Sequence, residues 1–281
     1  MKLLIDAGNT RVKLAWVDDT PNGAGHVAHW LSPEITVLHG EIPTLSTRLT
    51  SPAGSVRGVF GVNVAGPAVA SALQQALATG GLPAPHWVVP AASAAGVVNA
   101  YITPSALGPD RWAAIVGVAH LARQGPALLA SFGTATTIDT VAMVSDAEGV
   151  AKPTFCGGLI LPGCELMAAS LASGTANLPR ALGGSVSFPA NTQQAISSGI
   201  LAAQAGAVLR QWQAVYGRFD VPPQVLCTGG AWPVVADEVQ GLLARFEAGA
   251  AQWVAAPVLD GLARLAQAAG NQDAEAAGPR N

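Results

Sequence analysis

Near the start of the chain, the run Asp6-Ala7-Gly8-Asn9-Thr10-Arg11-Val12-Lys13 places a carboxylate, a glycine, two short hydrogen-bonding side chains and a lysine within eight residues. Asp6 closes the apolar run Leu3-Leu4-Ile5, where a carboxylate could hold a hydrated magnesium ion. Gly8 lets the backbone approach a ligand closely, Asn9 and Thr10 add polar groups there, and Lys13 could neutralise phosphate charge. Read blandly, the same residues form an ordinary hairpin with a solvated aspartate. A second acid–base pair stands in Gly108-Pro109-Asp110-Arg111, ahead of an apolar helical pattern over 111–122. Asp110 is expected either to N-cap that helix or to serve as a base, at a helix N-terminus that also favours a bound substrate carboxylate.

These residues need strands and turns to position them. Apolar runs flank Asp6-Ala7-Gly8-Asn9-Thr10 on both sides, which predicts strand, turn and antiparallel strand. The pattern occurs twice. Leu128-Leu129-Ala130-Ser131-Phe132-Gly133-Thr134-Ala135-Thr136-Thr137 overlays Leu3-Leu4-Ile5-Asp6-Ala7-Gly8-Asn9-Thr10-Arg11-Val12 at a constant offset of 131 − 6 = 125, with the paired leucines and the glycine coinciding. Two such hairpins, each opening a half of the chain, predict a duplicated domain whose halves face each other across a cleft that holds a nucleotide phosphate chain.

Between the hairpins, 56–64 reads as a buried strand, 67–78 as a helix stopped by Gly80-Gly81, and 87–89 as the next strand, which makes a parallel crossover. Earlier, 18–25 reads as a connector, 26–38 as one or two strands, and 43–49 as a short helix closed by Ser51-Pro52. In the second half, strands over 127–131, 136–144 and 154–161 lead to a helix over 165–172. A loop over 176–189 precedes a long helix from Asn191-Thr192 to about Tyr216. Strand 225–228 ends in Gly229-Gly230, and strand 253–255 precedes a helix over 258–269. The expected division is 1–122, 123–270 and a disordered tail, 271–281.

Half of the residues are hydrophobic and only 11% are charged, which suits a well-buried globular α/β protein. No run approaches the roughly 18 apolar residues of a membrane span. The net charge of −3, with no cluster of Lys and Arg among aromatics, gives nucleic acid no electrostatic footprint. Cys156, Cys164 and Cys227 lack metal-ligand spacing and read as free thiols in a reducing cytoplasm, and the five histidines show no zinc spacing.

With Gly133-Thr134-Ala135-Thr136-Thr137, Gly157-Gly158-Leu159-Ile160-Leu161-Pro162-Gly163 and Thr228-Gly229-Gly230 added to the two motifs above, the sequence resembles the type III pantothenate kinases over about residues 3–262. The resemblance implies duplicated ribonuclease-H-like domains of the actin-like ATPase and sugar kinase superfamily. It implies phosphorylation of pantothenate by ATP with Mg²⁺. Asp6 to Lys13 would surround the ATP phosphates, with Asp6 near the magnesium, and Thr134 would also contact ATP. Tyr101, Gly108, Pro109, Asp110 and Arg111 would bind pantothenate, with Asp110 the proton acceptor, and Thr192 would reach the substrate across a homodimer interface. The family usually has an aspartate at the position of Ser131, which ligates an activating K⁺ or NH₄⁺. A hydroxyl is a poorer cation ligand, so weak dependence on these ions is expected. The stripe Ile196, Ile200, Ala203, Ala207 and Trp212 on the long helix is expected either to form that interface or to pack on its own sheet. Other readings of the same residues are an ATP-binding accessory factor for transcription and a kinase of another small hydroxy acid or sugar.

Overall fold

The computed structural model describes residues 1–18, 31, 34–49 and 56–276. Most of the expected connector over 18–25, the strand positions before residue 34 other than Leu31, Ser51-Pro52 and the end of the tail lie outside the described residues. The chain separates into two compact units, residues 1–120 with 256–281, and residues 121–255. The first division falls two residues from the expected boundary. The last segment groups with the first unit, where the sequence reading had placed 256–270 in the second.

In the first unit, strands β1 (Lys2–Ala7), β2 (Arg11–Val17), β3 (Ile35–Leu38), β4 (Gly58–Asn63) and β5 (Pro85–Trp87) form a sheet in the order β3-β2-β1-β4-β5. β1 pairs antiparallel with β2 and parallel with β4. A 3₁₀ turn (His39–Thr44) leads from β3 into a one-turn helix α1 (Leu45–Arg48), and α2 (Pro67–Thr79) connects β4 to β5. α2 starts on Pro67 and stops at Gly80, where proline's fixed φ and glycine's freedom make start and stop signals. Leu3, Ile5 and Ala7 of β1 join Val69, Leu73 and Leu77 of α2 in one apolar cluster. Strand alternation therefore turns Lys2, Leu4 and Asp6 to the opposite face.

Two helices supply the other face. After a small hairpin of β6 (Ser93–Ala94) and β7 (Val97–Asn99), the chain enters α3 (Pro109–Val118), and the last helix, α7 (Pro257–Ala276), packs against it. α7 runs past the expected end of the last helix, through six residues of the expected tail. α3 and α7 meet backbone to backbone. A Cβ on Gly261 would stand 1.7 Å from the Ala113 carbonyl oxygen, and one on Gly117 would stand 2.2 Å from that of Pro257. Lys2 reaches the same layer, donating from Nζ to the Ala266 carbonyl at 2.6 Å.

The second unit repeats the plan with β8 (Ala127–Phe132), β9 (Ala135–Ser145), β10 (Ala151–Pro162), β11 (Gln224–Thr228) and β12 (Gln252–Trp253) in the order β12-β11-β8-β9-β10. β8 is antiparallel to β9 and parallel to β11, as β1 is to β2 and β4. The burial sequence is the same along β1 and β8, and again along β2 and β9. The offset, however, changes inside the hairpin. Asp6 pairs with Lys13, but Ser131 pairs with Thr137, so the second turn is one residue shorter than a constant offset of 125 would make it.

Helices α4 (Cys164–Gly174), α5 (Thr192–Phe219) and α6 (Trp232–Arg245) complete this unit. Asn191 caps α5 by accepting from the Gln194 N–H at 2.9 Å, and the Gln194 side chain accepts in turn from the Ala190 N–H. Ile196, Ile200 and Trp212 lie in the unit's own core, with Ala207 packed on it. Of the stripe considered for an interface, only Ala203 is exposed, because the large residues follow the sheet-facing side of the helix. The outward side carries Ala195, Gly199, Ala202 and Ala203 instead. Among the described residues no helix is long and apolar enough to cross a membrane.

Candidate active site

The first hairpin ends β1 at a turn in which the Gly8 N–H donates to the Arg11 carbonyl at 3.1 Å. Asn9, Thr10 and Arg11 are exposed, whereas Ala7 and Val12 are buried and root the turn in the sheet. Asp6 and Lys13 face each other across the two strands. Lys13 Nζ also lies 3.4 Å from Glu34 Oε1, an ion pair open to water and therefore weak.

Asp6 projects from the face of β1 that α3 and α7 cover. Burial, and next the Asp110 carboxylate, push its carboxyl from the ordinary 3.8 up to about 7, while Lys13 opposes the rise. The structure thus brings together Asp6, Asp110 and Lys13. Among the described residues there is no cluster of three His, Cys, Asp or Glu side chains able to hold a metal. One or two carboxylates suit magnesium, which keeps several waters and takes further oxygens from substrate phosphates.

Asp110 does not N-cap its helix, as the sequence had suggested it could. Gly108 holds that position and Pro109 begins the helix, so Asp110 falls in the first turn. Its Oδ1 accepts from the Arg111 N–H at 2.8 Å. A Cβ on Gly108 would stand 2.8 Å from that oxygen, so this glycine leaves room for the carboxylate. Arg111 is buried at 8% exposure, and its Nη1 donates to Tyr101 Oη at 3.2 Å.

Sequence reasoning passed over what holds Tyr101. Asn99 is buried, donates from Nδ2 to the Ala91 and Pro104 carbonyls, and accepts from the Tyr101 N–H at 3.1 Å. It also passed over Asp139, a buried carboxylate on β9 that fills the space where a side chain on Gly158 would stand.

In the second unit, Ser131 is the last residue but one of β8, which leads into the Gly133-Thr134 turn. Two glycines crowd that turn. A Cβ on Gly163 would lie 2.2 Å from the Gly133 carbonyl oxygen, and one on Gly229, at φ +100°, would lie 2.2 Å from that of Phe132. Thr192 is the exposed first residue of α5.

Two sheets of one order, each opening on a hairpin with a small polar turn, define an α/β protein of the actin-like ATPase and sugar kinase class, with duplicated ribonuclease-H-like units. A solved structure from Campylobacter jejuni assigned to the Baf family of transcriptional activators matches with TM-score 0.52 at 16% identity, covering 96% of this chain and 99% of that one. A Sinorhizobium meliloti protein assigned as a 2-dehydro-3-deoxygalactonokinase has the same TM-score and coverages at 12% identity. Residues 2–214 match the type III pantothenate kinase family, and the chain belongs to it. It is 44% identical over 274 residues to a type III pantothenate kinase of Bordetella petrii, covering 95% of this chain and 97% of that protein.

Because Asp6 holds a proton more tightly folded than unfolded, it contributes a deficit that grows as pH rises from about 4 to about 7 and is complete above that. Asp6→Asn should therefore raise thermal stability at pH 8, by on the order of 2–4 kcal/mol. The gain should shrink as the pH is lowered and vanish near pH 4. A gain that does not change with pH in thermal melts would show that Asp6 is not buried against Asp110. The same variant should need more magnesium for activity, read from a magnesium titration.

Proposed function

We propose that this chain transfers the γ-phosphoryl group of ATP to the primary hydroxyl of pantothenate, the first step toward coenzyme A. The observation that carries the reading is Asp110 beside buried Arg111 at the start of α3, with Asp6 close enough to feel its charge. Asp110 Oδ1 is occupied by the Arg111 N–H, and Oδ2 accepts the hydroxyl proton. As that O–H bond breaks, the oxygen bonds to the γ-phosphorus and ADP leaves with the electrons of the old bridge. The Arg111 guanidinium, steadied by Tyr101, holds the pantothenate carboxylate, and the backbone of Gly108 and Pro109 borders it. The hairpin from Asp6 to Lys13 surrounds the ATP phosphates, and Thr134 is a further ATP contact. Asp6 would hold Mg²⁺, which supplies charge neutralisation to the phosphates when bound.

This chemistry is that of a cytoplasmic enzyme supplied with ATP. A pure binding protein has no use for a base next to a buried arginine. Asp110→Asn should retain ATP binding and lose about 10²- to 10⁴-fold in turnover. The rate is measured with pantothenate and a panel of sugars; near wild-type turnover of the variant, or faster turnover of a sugar, would refute the assignment.

Where the first hairpin sets Asp6 against Lys13, the second sets Ser131 against Thr137, two hydroxyl groups. With no carboxylate at Ser131, activity should differ little between K⁺, NH₄⁺ and Na⁺. Ser131→Asp, with no lysine opposite, should create a dependence on K⁺. Strong activation of the natural protein by K⁺ over Na⁺ would overturn this.

The small residues on the outward side of α5 permit close approach of a second helix, and Thr192 stands at that helix's exposed end. We infer a homodimer through this face, with Thr192 completing the partner's substrate pocket. Ala203→Glu should dissociate it and abolish activity together, as seen by sedimentation beside the assay; a fully active monomer would refute the shared site.

A further inference from the structure

We propose that His39 is a positioning residue for phosphoryl transfer: its Nε2–H holds the Gly8 carbonyl and so aims the Asn9 amide at the ATP phosphates. The proposal rests on reading the first hairpin as the phosphate-binding element.

His39 begins the 3₁₀ turn that follows β3, and the last residue of β3, Leu38, is paired with Arg11 at the hairpin's exit. That pairing delivers the imidazole to the turn, where Nε2 lies 2.9 Å from the Gly8 carbonyl oxygen, 31 residues away in sequence. The ring is half-buried, and the turn that carries it is fastened by the Leu38 N–H donating to Glu41 Oε2 at 2.8 Å. A carbonyl only accepts, so Nε2 bears the proton.

The consequence lies in the peptide unit. The Gly8–Asn9 bond is trans and planar, so its C=O and N–H point in opposite directions. Holding the oxygen on the His39 side fixes the Asn9 N–H on the other side, and Asn9 is exposed. The Gly8 N–H is already spent on the Arg11 carbonyl, which makes the Asn9 N–H the first amide of the turn that a ligand can use. Glycine resists rotation of its peptide least of all residues. Without the imidazole the unit can turn over and present a carbonyl dipole to the phosphates. Successive backbone N–H groups in a turn bind anions only when they point at the ligand together.

The test compares His39→Phe, which keeps the ring and loses the donor, with His39→Gln, whose amide nitrogen reaches about as far as Nε2. The full chain is assayed for ATP KM, pantothenate KM, kcat and melting temperature. His39→Phe should raise the ATP KM roughly five- to tenfold, the worth of one hydrogen bond, while pantothenate KM stays unchanged and kcat stays within about twofold. His39→Gln should bring the ATP KM back to within about threefold of the natural protein. His39→Asn, whose amide is too short to reach, replaces the Phe variant in the comparison should that protein not fold. Lys13→Ala serves as the control for the hairpin itself. If it raises the ATP KM and His39→Phe does not, the role of His39 is refuted and the phosphate reading stands. If neither changes the ATP KM, the phosphate reading fails and this proposal falls with it. Equal losses in the Phe and Gln variants, tracking a lowered melting temperature, would reduce His39 to packing.

Discussion

Where α3 crosses α7 there is no side chain between the two backbones. At Gly117 and Gly261 even a methyl group would overlap a carbonyl oxygen of the other helix. Interiors packed this closely give way in jumps and not gradually, so the axis of α3 is set by contact with α7. The N-terminal turn of α3 carries Asp110 and Arg111, and its location on the sheet follows from that crossing. Strand alternation then does the rest. Lys2, Leu4 and Asp6 face the helix pair, and Asp6 feels the Asp110 carboxylate at the start of α3. The Asp6–Asp110 pair is thus a product of backbone packing some two turns of helix away.

That placement has a cost which the fold does not hide. A half-buried carboxylate facing another carboxylate disfavours its own ionised form, and one lysine across the hairpin offsets this only in part. In a structure built for stability alone, an apolar residue would stand at position 6 in β1. Concentrated like charge is what a site must keep if it is to attract a divalent cation and an incoming hydroxyl proton. The second unit shows the relaxed version of the same scaffold, with Ser131 and Thr137 in the equivalent register and no charge to accommodate.

Much of this was legible in the sequence because it depends on local chemistry. Asp6-Ala7-Gly8-Asn9-Thr10 between apolar runs reads as a hairpin, and the echo at Ser131 reveals the duplication that the two sheet orders share. The one-residue shortening of the second turn was hidden, since Thr136 and Thr137 are the same residue type and either alignment looks equally good. Of the two readings of Asp110, the capping one fails because Pro109 starts the helix earlier than the acidic residue suggests. Spacing on α5 identified a stripe but not which side it faced, as apolar periodicity is the same for a core and an interface. Nothing local marks the partner of α7, and a histidine that serves one distant carbonyl, or an asparagine that ties a loop, leaves no pattern to find.

The return of α7 to the first unit also orders the way the chain can acquire its structure. Residues 121–255 are continuous and hold β8 to β12 with α4, α5 and α6, so all of this unit's own sequence has been made before α7 is. The first unit, although made earlier, lacks the helix that covers one face of β1 and β4 until the last twenty-five or so residues emerge. The unit that is synthesised second is therefore the first to have its whole sequence available. Until then the first unit lacks the helix that packs against Gly117 and lies on β1 and β4.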